Sequence, residues 1–356
     1  MPARTIGYAG LKDARAITVQ RMSIENVPVE EAMRLDVPGV RILDAAYHSN
    51  KLRMGHLAGN RFVIRVRRPN DGAYETTRQA LAILERDGVP NFFGMQRFSR
   101  RRNGHLIGRA MILGEWDEVL AHYLGRPQPH EHAHIIEARE AYDAGEFDRA
   151  RRLLPYTRYR GERQVLGALL RGLAPEAAFN HIIPRMWKLF PSAYQSLLFN
   201  RILSRRLPDL RTLMDGEVVL NHRGGGVFHA PDAAIEQTRA DAFEISPSGP
   251  LFGAKMVRPT GVPREIEDDV LREEGFEPDR MAAVFRSMNG WRRAYRVQVT
   301  ETKVERHDSD DVVVSFRLPS GSYATIVMDE ITKTRTIDLF EHDEDDSGDE
   351  TTGDSA

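Results

Sequence analysis

Asp13 lies in the stretch Gly7-Tyr8-Ala9-Gly10-Leu11-Lys12-Asp13-Ala14-Arg15-Ala16-Ile17-Thr18-Val19-Gln20. Gly7 and Gly10 permit a tight turn or the close approach of a ligand. Ala16, Thr18 and Gln20 then alternate with Ile17, Val19 and Arg21, the pattern of a strand with one buried face. That places Asp13 on a turn at the mouth of a strand, between Lys12 and Arg15. Neighbouring cations favour the ionised carboxylate, and an ionised, positioned carboxylate serves as a nucleophile or a base. An exposed turn aspartate beside a lysine is the plainer reading of the same spacing.

Three further groups could act on a planar base. Asn91-Phe92-Phe93-Gly94-Met95-Gln96-Arg97-Phe98 sets adjacent rings beside amides and an arginine. A ring stacks on a flipped-out base and an amide reads its edge; a core strand with Phe92 and Phe98 buried is the structural alternative. Arg97, Arg100, Arg101 and Arg102 form the densest basic cluster in the chain and suit phosphate contacts. Tyr323 follows the turn Pro319-Ser320-Gly321, so its ring could reach a cleft or lie buried in a strand.

Other chemistries are disfavoured. His130, His132 and His134 alternate, but after Pro127-Gln128-Pro129 they fit a loop or helix start better than a metal site. Gly224-Gly225-Gly226 lacks the following Lys and Ser/Thr of a phosphate-binding loop. The chain has no cysteine, which excludes disulfides, thiolate nucleophiles and Cys-based zinc sites. A cytoplasmic setting is the expectation, since reducing compartments favour disulfide-free chains. No apolar run is long enough to span a bilayer, so no membrane association is expected.

The 356 residues allow one large or two ordinary domains. The net charge of −2 conceals an asymmetry. Residues 341–356 hold eight acids and no Lys or Arg, and the rest of the chain carries +6. Of the 50 basic residues 44 are Arg, a composition suited to phosphate and base stacking but also produced by Arg-rich codon usage. A polyanionic partner is compatible with this balance.

The elements that must position these groups follow from periodicity. Strands are expected over residues 17–24, 40–46, 60–66, 291–297, 312–318 and 322–330. Thr76–Arg86 reads as an amphipathic helix ended by Gly88-Val89-Pro90. From about residue 105 the character is helical. Gly114-Glu115-Trp116-Asp117 and Gly145-Glu146-Phe147-Asp148 are alike, and each opens a helix. Pro191–Leu203 is a further helix, residues 217–228 a hairpin, residues 248–256 a tight turn and residues 265–274 a charged helix. The acidic tail has no apolar periodicity and is expected to be disordered.

Taken together, these stretches resemble the TruD family of tRNA pseudouridine synthases, in archaeal-like form. The family pattern G-x-A-G-x-K-D-x-x-A-x-T-x-Q is filled at every position by residues 7–20. Further blocks match at Lys51–Phe62 (K-L-R-x-G-x-L-x-G-N-x-F), Asn91–Phe98, Ala193–Asn200 (A-x-Q-S-x-L-F-N), Ser248–Met256 and Phe316–Thr325. The resemblance implies an α/β (α+β) fold: a largely antiparallel, mixed catalytic sheet plus a mostly helical inserted domain. The implied division is 1–118 and 297–340 for the core, 119–296 for the insert and 341–356 for the tail. It implies that uridine, at position 13 of tRNA, is isomerised to pseudouridine without a cofactor or metal. Asp13 would be the nucleophile, Asn91 and Tyr323 would hold the base, Phe93 would shape the pocket, and Lys12 would tune Asp13 or touch phosphate. The partner is tRNA; no protein partner is implied. Family members carry a substantial segment before the signature, whereas six residues precede Gly7 here, so an open sheet edge or apolar patch is expected beside the first strand. Two other classes share these features: a non-catalytic RNA-binding protein of the same fold, and an unrelated hydrolase using Asp13 with a histidine.

Overall fold

The computed structural model describes residues 3–13, 16–182, 184–307 and 311–333. The acidic tail lies outside the described residues. The strands are β1 (Ile6–Tyr8), β2 (Met22–Ile24), β3 (Gly59–Val66), β4 (Val89–Pro90), β5 (Glu217–Asn221), β6 (Val227–Ala230), β7 (Ile245–Leu251), β8 (Trp291–Ala294), β9 (Arg296–Val297), β10 (Thr300–Arg306) and β11 (Val312–Pro319). Every strand pair is antiparallel. The strands group as β1-β2, β10-β11-β3, β4-β9 and β6-β5-β7-β8.

One strand path ties these groups together. Tyr295, between β8 and β9, donates its N–H to the Pro247 carbonyl of β7 at 2.8 Å. Its own carbonyl accepts the Asn91 N–H at 2.8 Å. The run from Trp291 to Val297 thus lies between β7 on one side and residues 89–91 on the other. Gly249, opposite Arg293, must be glycine for packing reasons: a Cβ there would stand 2.3 Å from the Tyr295 ring and 3.0 Å from Phe199.

Two large apolar clusters fill the molecule. The first joins the helix Ala73–Asp87, residues 92–98, the second half of the helix Pro184–Arg206, Val270, Leu271, β9 and β11. The second is built from helices and the turns that join them and runs from Ile107 to Phe190. The helix Pro184–Arg206 serves both, and contains Pro191, which supplies no N–H to the helical ladder. The helix Gly104–Leu113 crosses it at that point. Gly108 lets the backbones touch, since a Cβ there would overlap the Phe190 carbonyl.

The two similar turns noted in the sequence share one geometry. Gly114 and Gly145 take left-handed φ of 75° and 78°. Glu115 and Glu146 send their N–H groups back to Ala110 and Ala141. This is the Schellman closure of a helix C-terminus, and it uses glycine because no Cβ opposes positive φ. Gly172 repeats it, with Leu173 donating to Ala168.

Several strand expectations are corrected. Residues 324–332 form a helix, Ala324–Thr332, with Ile326, Val327 and Ile331 buried on one face. Of residues 17–24 only Met22–Ile24 is a strand, and residues 40–46 hold no strand. The stretch after Ser248 continues β7 to Leu251, and the turn follows at Ala254 and Lys255. The side chains of Leu11, Ile17, Val19 and Met22 are exposed.

A buried histidine, His105, and a half-buried one, His122, make the fold sensitive to acid. His105 stands edge-on to Phe98 at 5.6 Å, and burial lowers its pKa to about 4, with Arg201 and His122 adding to the effect. Burial, reinforced by Arg126, likewise lowers His122 to about 4. The unfolded chain takes up these protons near the ordinary value of about 6.5. Between there and about 4 the unfolded state therefore holds more protons, and stability falls as pH falls. Urea denaturation across this interval is expected to show a declining midpoint, and His105→Gln is expected to flatten the decline.

Candidate active site

Asn91, Phe93 and Tyr323 are brought together, and a residue the sequence did not single out joins them. The Asn91 side chain is buried and donates from Nδ2 to the Ala294 carbonyl at 2.9 Å. Its Oδ1 accepts from Nη2 of Arg293. Arg293 also donates from Nε to the Asn91 carbonyl at 3.0 Å and from Nη2 to the Gly321 carbonyl at 3.0 Å. Its guanidinium carbon stands 4.2 Å from the centre of the Phe93 ring. Burial lowers the Arg293 pKa to about 10, opposed by Tyr323 and aided by Arg97, so the group stays cationic at neutral pH. Among the described residues no carboxylate pairs with it.

Phe93 is held by its backbone. Asn200 accepts the Phe93 N–H at 2.9 Å and donates to the Phe93 carbonyl at 3.0 Å, so one side-chain amide replaces a neighbouring strand. The Phe93 ring meets Phe199 edge-on at 5.5 Å and Tyr323 at 6.2 Å. Gly94 makes room for this approach. A Cβ there would press on Tyr323 and Thr325 at 3.2 and 3.1 Å. Tyr323 is half-buried at the N-terminal boundary of the helix Ala324–Thr332.

Asp13 is exposed and Lys12 is half-buried. Lys12 Nζ donates to Asn60 Oδ1 at 2.6 Å. Asn60 of β3 lies opposite Leu318 of β11, and β11 leads through Gly321 to Tyr323. The segment before Asp13 follows residues 51–60: Gly55 donates to the Ala9 carbonyl at 3.0 Å, and Gly7 abuts the Leu52 carbonyl. Sheet register and one lysine thus connect the Asp13 turn to the aromatic cluster. Among the described residues no hydrogen bond joins Asp13 itself to Asn91, Phe93 or Tyr323.

The basic cluster divides. Arg97 lies 5.4 Å from the centre of the Phe93 ring and donates to Ser196 Oγ at 3.0 Å. Arg100 donates to the Tyr159 hydroxyl at 2.8 Å. Arg101 is turned inward, with its donors on the carbonyls of His122, Gly125 and Arg126. Arg102 is exposed, on a residue with φ of 57°.

A family model described as tRNA pseudouridine synthase D (TruD) matches residues 1–331. The chain belongs to the TruD family. It is 43% identical over 334 residues to the tRNA pseudouridine synthase D of Geobacter metallireducens, covering 93% of this chain and 82% of that protein. It is 32% identical to the probable tRNA pseudouridine synthase D of Thermococcus gammatolerans, covering 93% and 82%. A solved structure from Methanosarcina mazei, described as a tRNA pseudouridine synthase D, superposes with a TM-score of 0.80 at 27% identity, covering 94% of this chain and 82% of that one. Of the TruD-like blocks, the Asn91–Phe98 segment, Asn200 and the turn before Tyr323 meet here, and the signature turn is tied to β3 through Lys12 and Asn60.

Asn200 and Arg293 went unassigned in the sequence for different reasons. Asn200 reads as one polar position in an apolar helix. Arg293 follows Arg292 at the opening of a strand, and alternation alone signals that the two point to opposite faces. Asn200→Ala leaves the buried Phe93 N–H and carbonyl without partners. It is expected to cost about 2–6 kcal/mol in urea denaturation, at about 1–3 kcal/mol per orphaned group.

Proposed function

We propose that this TruD-family chain isomerises a uridine of tRNA, at position 13, to pseudouridine in the cytoplasm. The observation that carries the proposal is the half-buried, unneutralised Arg293 guanidinium between Asn91, Gly321 and the Phe93–Tyr323 rings, linked through β11, β3 and Lys12 to an exposed Asp13. The reaction breaks the bond between N1 of the base and C1′ of the ribose. The base turns, C5 bonds to C1′, the C5 proton leaves, and N1, freed of C1′, takes up a proton. Nothing is hydrolysed or oxidised. Asp13 is the nucleophile, attacking either the sugar or the base. Reaching it requires the uridine to leave its stack.

The surrounding groups divide the work. Tyr323 offers its half-buried ring to the everted base, and the buried Phe93 ring shapes the pocket behind it. Arg293 supplies a fixed cation that favours an electron-rich carbonyl of the uracil, and such charge is most effective where water is excluded. The Asn91 amide is occupied by Ala294 and Arg293, so we assign it the task of holding Arg293 rather than touching the base directly. Lys12 fixes the Asp13 turn against β3. Arg97 and Arg102 are assigned to phosphate contacts. Arg100 also bonds Tyr159, and Arg101, expected from the sequence to meet RNA, is given no phosphate contact because its donors are on carbonyls.

Tritium release from tRNA carrying 5-tritiated uridine tests the reading. The wild-type chain is expected to release label, and Asp13→Asn to lower the rate at least about a thousandfold while tRNA binding persists. A chain that binds tRNA without release would be a binding protein of this fold. Release that survives in Asp13→Asn would remove the nucleophile assignment. Arg293→Lys keeps the charge but loses the planar fork, and is expected to lower kcat about a hundredfold with little change in KM.

A further inference from the structure

Arginines without acidic partners gather at a second place, in the helical layer. Arg151 from the helix Phe147–Leu153, Arg160 and Arg163 from the helix Arg160–Leu170, and Arg171 just past its end surround a depression of about 290 Å³, with Tyr156 and His181 completing the wall. Their neighbours are neutralised: Arg149 pairs with Glu137 and Glu146, and Arg152 with Asp148. Among the described residues Arg151, Arg160, Arg163 and Arg171 pair with no carboxylate.

The cluster is built rather than scattered. Arg163 donates to the carbonyls of Arg151 and Leu154, and its buried Nε has no acceptor among the described residues. Its guanidinium carbon lies 5.8 Å from the centre of the Tyr156 ring, and Tyr156 is 66% exposed. Gly167 forms bare floor between two of the cations. A Cβ there would stand 3.6 Å from Arg151 Nε and 3.7 Å from Arg171 Nη1. Like charges held this close repel one another, and an anion between them turns that repulsion into attraction.

We infer that this depression takes a backbone phosphate of tRNA, with an adjacent base laid on Tyr156. A basic path leads there from the aromatic cluster: Arg97 at Phe93, then Arg100 bonded to Tyr159, then Arg160 beside it in the chain. A free anion would account for the guanidinium pair alone. The path and the exposed ring fit a strand of nucleic acid, since ring stacking and phosphate pairing occur together in such grooves. The inference rests on the proposed function and extends its substrate contacts beyond the reacting uridine.

Arg151→Gln combined with Arg171→Gln tests it, because both side chains are exposed and neither belongs to the uridine site. Labelled tRNA is titrated over a series of salt concentrations. The double variant is expected to bind about tenfold more weakly at low salt, with the slope of log K against log salt reduced by about two. Its thermal midpoint is expected to be unchanged. Tyr156→Ala is expected to weaken binding about fivefold with no change in slope. Unchanged tRNA affinity and slope in the double variant overturn the inference. So does a thermal shift with inorganic phosphate, seen in wild type and lost in the double variant, when tRNA affinity is unaltered; the site then holds a free anion. A wild-type chain that binds no tRNA overturns this inference and the proposed function together. One that binds tRNA without releasing tritium overturns only the isomerase reading.

Discussion

The Arg293 guanidinium is the point at which separated parts of the chain meet. Its donors reach residue 91 twice and residue 321 once, while its flat face covers residue 93. Taking a charge out of water is expensive, and the structure offsets this without a counter-ion, through three oxygen acceptors and a ring quadrupole. The planar fork matters here, because one rigid group must satisfy acceptors on two loops simultaneously. The preceding residue solves the same problem differently. Arg292 points to the opposite face of β8 and pairs with buried Glu267 at 2.6 Å. Neutralised, it is structural. Arg293, left positive, projects a field into the space beside Tyr323.

That constraint explains why several residues near it are small or amide-bearing. Gly94 and Gly249 allow Tyr323 and Tyr295 to approach; Asn200 and Asn91 replace backbone partners where no strand is available. Each is a local solution to one requirement: loops carrying buried backbone must have every N–H and carbonyl satisfied. A side-chain amide has both a donor and an acceptor, so one asparagine completes a residue's worth of pairing.

Legibility in the sequence follows the same physics. β3 was readable because Phe62, Ile64 and Val66 face a core while Arg61 and Arg65 face water, and a partner strand exists to fix that alternation. The turns at Gly114 and Gly145 were readable because only glycine meets their φ without cost. Residues 17–21 alternate equally well yet pair with nothing, and Ile17 is fully exposed. Alternation describes a face, and a strand also needs a neighbour. Residues 324–332 failed for the converse reason. Their β-branched residues favour a strand locally by tenths of a kcal/mol, and burial of Ile326, Val327 and Ile331 on one helical face outweighs that. The Asp13 turn was legible as a motif. Its connection to Tyr323 was not, because it passes through sheet register, which no local pattern encodes.

The excess of arginine over lysine has a structural component that composition could not separate from RNA binding. Arg139 donates to the carbonyls of Tyr123 and Leu124, and Arg101 to those of His122, Gly125 and Arg126, so both close the end of the helix Trp116–Leu124. Arg296 does the same for two helices, reaching Asp87 and Ala240. A cation at a helix C-terminus meets orphaned carbonyls and the negative end of the dipole together. Arginines engaged this way are unavailable to a polyanion, however basic the local sequence. Arg101 lies within the densest basic run of the chain and is spent on carbonyls, whereas Arg151 and Arg171, in a less crowded stretch, keep their charge. What decides whether an arginine can meet phosphate is therefore the acceptors its donors have already found, not the density of positive charge around it in the chain.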